Sequence, residues 1–207
     1  ISMVKKQSTS DVSDRILNVA RDLFIKNGYA GTSIRDIAAA SGTNVAHIKY
    51  YFESKYNLFE IIFDEAFEIL FKRVSATLTS DMPFYDMVEA WISTYYEILS
   101  EYPQIPIFIL NEVNQSPDTL IRKLLERDPL AIFTRLSERI AEEVKKGTIK
   151  DIPAIDLGLN ILSLCVFPFM FRGLAIRIAN RSETEYNEIL AAHKKRVIDL
   201  IFSGLRP

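Results

Sequence analysis

The sequence predicts an all-α protein in which a small amino-terminal helical domain precedes a larger helical one. Apolar residues recur at helical spacing along nearly the whole chain. No stretch shows the sustained alternation or hairpin punctuation of strands, and Pro and Gly fall mostly between periodic segments.

Taken in order, Ser13 is placed to cap a first helix with the stripe Ile16, Ala20, Leu23 and Phe24, and Gly28 to end it. Thr32 or Ser33 caps a short second helix with Ile34, Ile37 and Ala38 inward, and Ser41, Gly42 and Thr43 form a tight turn. A third helix runs from Asn44 to about Phe52, and Ser54 caps a long fourth that ends near Ser80. Beyond Pro83 the spacing predicts a helix from Phe84 to Glu101 and shorter pieces over 106–116 and 117–127. Pro129 opens the next helix and Gly147 closes it; one very apolar helix runs from Pro153 to about Asn180, and a last amphipathic one covers 183–202. With no linker-like segment, the domains divide inside the fourth helix, as 1–57 and 58–207.

Composition narrows the function. The 48 % hydrophobic and 25 % charged content is that of a soluble globular protein. One cysteine, Cys165, allows no internal disulfide, and with only His47 and His193 beside it the ordinary zinc ligand sets cannot form within one chain, so no metal or cofactor is expected. The charge-free stretch from Leu157 to Phe171 is 15 residues long, short of the roughly 20 a membrane span needs, and reads as buried helix. The amino terminus lacks the apolar core of a secretory signal, and the expected compartment is the cytoplasm. Residues 1–55 carry eight Lys or Arg against five acids, within a chain of net charge −2. A basic end on an acidic body points to a polyanionic partner.

The second and third helices, joined by a glycine-containing turn, form the arrangement in which a helix enters the DNA major groove. At 100° per residue Val45, Ile48 and Phe52 fall within about 60° of one another, which makes them the packed face of the recognition helix, about 44–52. Ala46, His47 and Tyr50 face the other way, with Asn44, Lys49 and Tyr51 on the flanks. A small residue, an imidazole and tyrosine hydroxyls suit a surface pressed on bases and phosphates. Lys55, at the start of the fourth helix, adds a cation where a phosphate oxygen is well held.

These residues resemble the TetR family of transcriptional regulators. The match runs over residues 13–60 and rests on Leu23-Phe24, Gly28, Thr32-Ser33, Ile37-Ala38, Ser41-Gly42, Tyr50-Tyr51-Phe52 and Ser54-Lys55-Tyr56-Asn57-Leu58-Phe59. Two positions depart from the commonest family form: Lys49 stands where tyrosine is usual and Tyr51 where histidine is. The resemblance implies DNA contacts from Ser33, Arg35, Thr43, Asn44, His47, Lys49, Tyr50, Tyr51 and Lys55. Arg35 is a reader of guanine or a phosphate clamp.

It further implies a repressor that binds a palindromic operator as a homodimer through its last two helices and is released by a small-molecule effector. Trp91, Tyr95, Phe108, Asn111, Phe133, Phe167 and Phe171 are the candidate effector-binding residues, a few polar groups among aromatics. Two other functions compete. A helical protein-interaction adaptor leaves the Thr43–Lys55 segment unaccounted for. A metal-dependent all-helical hydrolase lacks any H-x-x-x-D, HExxH, G-x-S-x-G or P-loop pattern, so no catalytic residue is assigned.

Overall fold

The computed structural model describes residues 2–103, 105–107, 109–110 and 117–207. Among these there is no strand. Two compact units divide within one helix, Ile1–Glu68 and Ile69–Pro207, further along it than the 57/58 division drawn from the sequence.

The first unit holds α1 (Ser2–Asn27), α2 (Ile34–Ala40), α3 (Val45–Phe52) and the start of α4 (Lys55–Leu78). Its core joins Ile16, Ala20 and Phe24 of α1 to Ile37 and Ala38 of α2, Ile48 and Phe52 of α3, and Leu58, Phe59 and Ile62 of α4. The helix ends follow their local signals. Gly28 terminates α1 at φ +71°, a left-handed position that glycine occupies without steric cost. Ser33 caps α2 through a reciprocal box with Asp36, and the Asn44 side chain accepts the N–H of His47 at the start of α3. The Ser54 hydroxyl accepts the N–H of Asn57, 3.0 Å away, and so caps α4 as the sequence suggests. The start of α1 differs from expectation: the helix begins at Ser2, and Ser13 lies inside it. A serine favours a cap without enforcing one, and no Gly or Pro lies between Ser2 and Asn27 to stop the helix.

The second unit contains the rest of α4, α5 (Phe84–Glu101), α6 (Pro117–Leu125), α7 (Pro129–Lys146), α8 (Ala154–Met170), α9 (Arg172–Ala179) and α10 (Glu183–Leu205). α5, α8 and α10 pack together and α7 lies on α8. The single apolar helix expected to reach Asn180 is broken at Phe171 into α8 and α9, bent by 58°. Pro168 is the local cause, because it has no N–H and its ring crowds the carbonyl one turn back. The bend is held from α10: the Tyr186 hydroxyl donates to the Pro168 carbonyl at 2.8 Å, while Arg172 pairs with Glu183, donates to Asn187 and lies over the Tyr186 ring. Among the described residues no single helix is long and apolar enough to cross a membrane.

Candidate nucleic-acid interface and effector region

The turn between α2 and α3 is held by side chains. Ser41, 3 % exposed, donates to the Ile37 carbonyl at 2.7 Å, and its oxygen lies 2.8 Å from the Thr43 hydroxyl. Gly42 takes φ +64° between them. This fixes α3 on α2 through buried Ile48, leaving Ala46, His47, Lys49 and Tyr50 exposed, Tyr50 by 78 %. Asn44, Ser33 and Arg35 are exposed as well, whereas Thr43 and Tyr51 are half-buried. Tyr50 and Tyr51 meet edge to face at 5.1 Å, which limits the freedom of both rings.

Lys55 is engaged within the unit. Its Nζ donates to the Tyr29 carbonyl at 2.9 Å and the Thr32 carbonyl at 3.0 Å, and lies 4.0 Å from the centre of the Tyr29 ring. Sequence reasoning missed Tyr29 entirely, since nothing in its neighbours marks it as the partner of a residue in α4.

The α2 cap carries a titration. The Ser33 hydroxyl and backbone N–H both donate to the Asp36 carboxylate and hold its pKa below the ordinary carboxylate value. The sign follows from linkage: the contribution is fully present above the ordinary carboxylate pKa and is lost as pH falls through the lowered one. Amide protection at the start of α2 is therefore expected to weaken in acid, and Asp36→Asn to remove that pH dependence. Hydrogen exchange at Asp36 and Ile37 measures it, and an identical pH response in the variant would contradict this origin.

In the second unit Trp91 and Tyr95 of α5 are buried. Phe133 of α7, 39 % exposed, and Trp91 both reach Gly158 of α8, where an added Cβ would lie 3.6 Å and 3.8 Å from their rings. Trp91 Nε1 is buried and makes no hydrogen bond of normal geometry among the described residues. Phe167 and Phe171 stack on each other at 5.5 Å and face outward, 59 % and 37 % exposed. Phe108 and Asn111 lie outside the described residues. A groove of about 620 Å³ that the sequence did not suggest runs beside α7, lined by Ser80, Asp81, Thr134, Arg135, Glu138 and Arg139 among others. It shares no residue with the aromatic set.

Burial acts on the titratable groups in this unit's interior. Burial pushes the Tyr95 phenol and the Cys165 thiol each up to about 12 and raises Tyr96 as well; the Tyr96 hydroxyl lies 2.5 Å from His193 Nδ1. A buried, protonated thiol is a poor nucleophile. Among the described residues no cluster of His, Cys, Asp or Glu is arranged to hold a metal ion.

Two short helices on a buried anchor, joined by a glycine turn and presenting an exposed polar face, define a helix-turn-helix unit. The family model described as "Bacterial regulatory proteins, tetR family" matches residues 16–62. The probable HTH-type transcriptional regulator YttP of Bacillus subtilis is 30 % identical over 160 residues, 76 % of each chain. The HTH-type transcriptional regulator RutR of Escherichia coli K12 is 26 % identical over 149 residues, 72 % of this chain and 69 % of that one. The crystal structure of the TetR family transcriptional regulator PfmR from Thermus thermophilus superposes with a TM-score of 0.65 at 22 % identity, covering 93 % of this chain and all of that one. The chain belongs to the TetR family of helix-turn-helix transcriptional regulators, and these relatives are regulators and not enzymes.

Proposed function

We propose that the protein is a cytoplasmic repressor that binds a palindromic operator as a homodimer and leaves it when a small, largely apolar effector binds the second unit. The observation that carries the DNA-binding part is the outward face of α3. His47, Lys49 and Tyr50 stand exposed beside Ala46, while Ile48 and Phe52 are buried beneath them. The small Ala46 side chain lets the helix backbone come close to base edges, and His47 and Tyr50 supply polar atoms to read them. Ser33, Arg35, Thr43, Asn44 and Tyr51 flank that face and complete the contact set. The exposed Lys49 ammonium suits a phosphate. Lys49→Ala is expected to weaken binding to all DNA alike and to reduce the slope of log K against log salt by about 0.9 per half-site. An unchanged slope would falsify the phosphate assignment.

The effector reading is supported by Trp91, Tyr95 and Phe133. Their rings belong to α5 and α7, Trp91 and Phe133 converge at Gly158, and the buried Trp91 Nε1 and the Tyr95 hydroxyl beside it place two polar atoms among these rings, as a binding cavity requires. Tyr95→Phe is expected to keep folding and operator binding and to blunt release by any effector that mass spectrometry identifies in the purified protein. Normal release by this variant and by Trp91→Phe would remove these side chains from the site.

The dimer reading is supported by the apolar surface of α8 and α10. Ile155, Leu159 and Leu162 follow at i, i+4 and i+7 on the outer side of α8, opposite buried Leu157, Ile161 and Cys165, and Ile189 and Leu200 are exposed on α10. A second copy of the chain covers such a face self-complementarily.

A further inference from the structure

We propose that Lys55 acts on DNA recognition from within the first unit, as a positioning residue that holds the loop delivering Ser33 and Arg35, and that it keeps this role when DNA is bound. This rests on the reading of α2 and α3 as the DNA-binding surface. An ammonium has three donors. Two of them go to the Tyr29 and Thr32 carbonyls, and the Tyr29 ring lies 4.0 Å from Nζ, so no more than one N–H is left over.

The loop is closed from its other side too. Thr32 is 1 % exposed, and its hydroxyl bridges the Gly28 carbonyl at 2.9 Å and the Leu23 carbonyl at 3.1 Å. The Tyr29 ring is wedged against Phe24 and Phe59, with centroids 5.9 Å and 4.8 Å away. Thr32 directly precedes Ser33, the cap of α2, so the place where Lys55 grips the loop is one residue from the first candidate DNA contact. Swinging Nζ out to a phosphate would leave two carbonyls of a packed loop without this cation and would give up the ring contact. Such charge-assisted bonds are stronger than neutral ones, and without Lys55 the Tyr29 carbonyl would keep only the longer contact from the Thr32 N–H at 3.4 Å.

Lys55 is also the first residue of α4, the helix that continues past the division between the two units. A displacement of the first turn of α4 therefore pulls on the entry to α2 through this ammonium. The clasp makes the orientation of Ser33 and Arg35 depend on the position of α4.

The test compares wild type with Lys55→Met, which keeps the aliphatic stem and removes the cation, on an operator selected with the wild-type protein. Affinity is expected to fall by about tenfold or more, the loss of charge-assisted hydrogen bonds read as a binding constant. The slope of log K against log salt is expected to stay as in wild type. In the free protein the amide signals of Ala30 and Ser33, each following a clasped carbonyl, are expected to shift on substitution. The wild-type Lys55 ammonium nitrogen signal is expected to be the same with and without operator; this reading needs no variant and decides the matter if Lys55→Met fails to fold.

A slope reduced by about 1.8, equivalent to one phosphate partner fewer in each half-site of a dimer, would overturn the proposal. So would an ammonium signal that moves when operator is added, or wild-type affinity in the variant. If the wild-type protein selects no DNA sequence, the DNA-binding reading itself has failed, and the Ala30 and Ser33 amides still report separately whether the clasp forms.

Discussion

Replacing Leu159 and Leu162 together by glutamate is expected to convert the protein from a species of about twice 23.7 kDa to one of 23.7 kDa, and to reduce operator binding to the level of unrelated DNA. Both side chains are exposed in the single chain, 52 % and 42 %, so the substitutions leave its own core intact. In a dimer the same carboxylates meet their symmetry mates across an apolar surface, where burying unpaired charge is prohibitive. One helix-turn-helix unit buries too little surface for tight specific binding, and specific sites exceed non-specific ones by roughly 10³-fold or more. Loss of the dimer is expected to cost at least about that factor. Sedimentation, circular dichroism and operator titration check the three parts: a variant that remains dimeric places the interface elsewhere, and one that is monomeric yet binds tightly contradicts the need for two copies.

Ile48→Ala is the second large effect. Ile48 is fully buried at the centre of α3, between the exposed residues assigned to DNA. Truncating such a side chain removes its transfer free energy and leaves a cavity, for a total of about 2–5 kcal/mol. Because the first unit is small, that is a large part of the stability of its three-helix arrangement. The expected result is a protein whose operator binding is lost with a melted α2 and α3 while the second unit keeps its helices. Segment-resolved hydrogen exchange distinguishes this from general unfolding. Unaltered protection in α3 would mean that Ile48 is not the anchor. His47→Ala is the matched control: its side chain is exposed, so operator binding should weaken without loss of protection.

The first unit was legible where its signals are local. Gly28 ends α1, the turn falls at Gly42, and Ser33, one of the two caps the sequence offers, caps α2; the box with Asp36 and the cap from Asn44 are equally local but are seen only in the structure. The same locality explains the failure at Ser13, where a good capping residue lies inside a helix that nothing upstream interrupts. Lys55 shows a different limit. A cation at the start of a helix reads as an anion ligand, and only the fold brings the Tyr29 and Thr32 carbonyls to it.

In the second unit the decisive relations are long-range. The sequence reads one helix through Pro168, and the bend there is held by Tyr186 and by the Glu183 and Asn187 partners of Arg172, which come from far along the chain. Phe167 and Phe171 lie in an apolar run indistinguishable by composition from core, and they turn out to be exposed. The convergence of Trp91 and Phe133 at Gly158 joins three helices and has no signature in any one of them.

Whether α3 reads DNA sequence is decided by exposing the purified protein to fragmented genomic DNA, sequencing what is retained, and repeating the selection with His47→Ala and Tyr50→Ala. The expected result is a small set of fragments sharing a palindrome with half-sites separated by about one helical turn or a multiple of it, with enrichment reduced or its base preference altered in the two variants. Retention without a shared motif, or the same motif at the same strength in both variants, would contradict the assignment of α3 as the recognition helix.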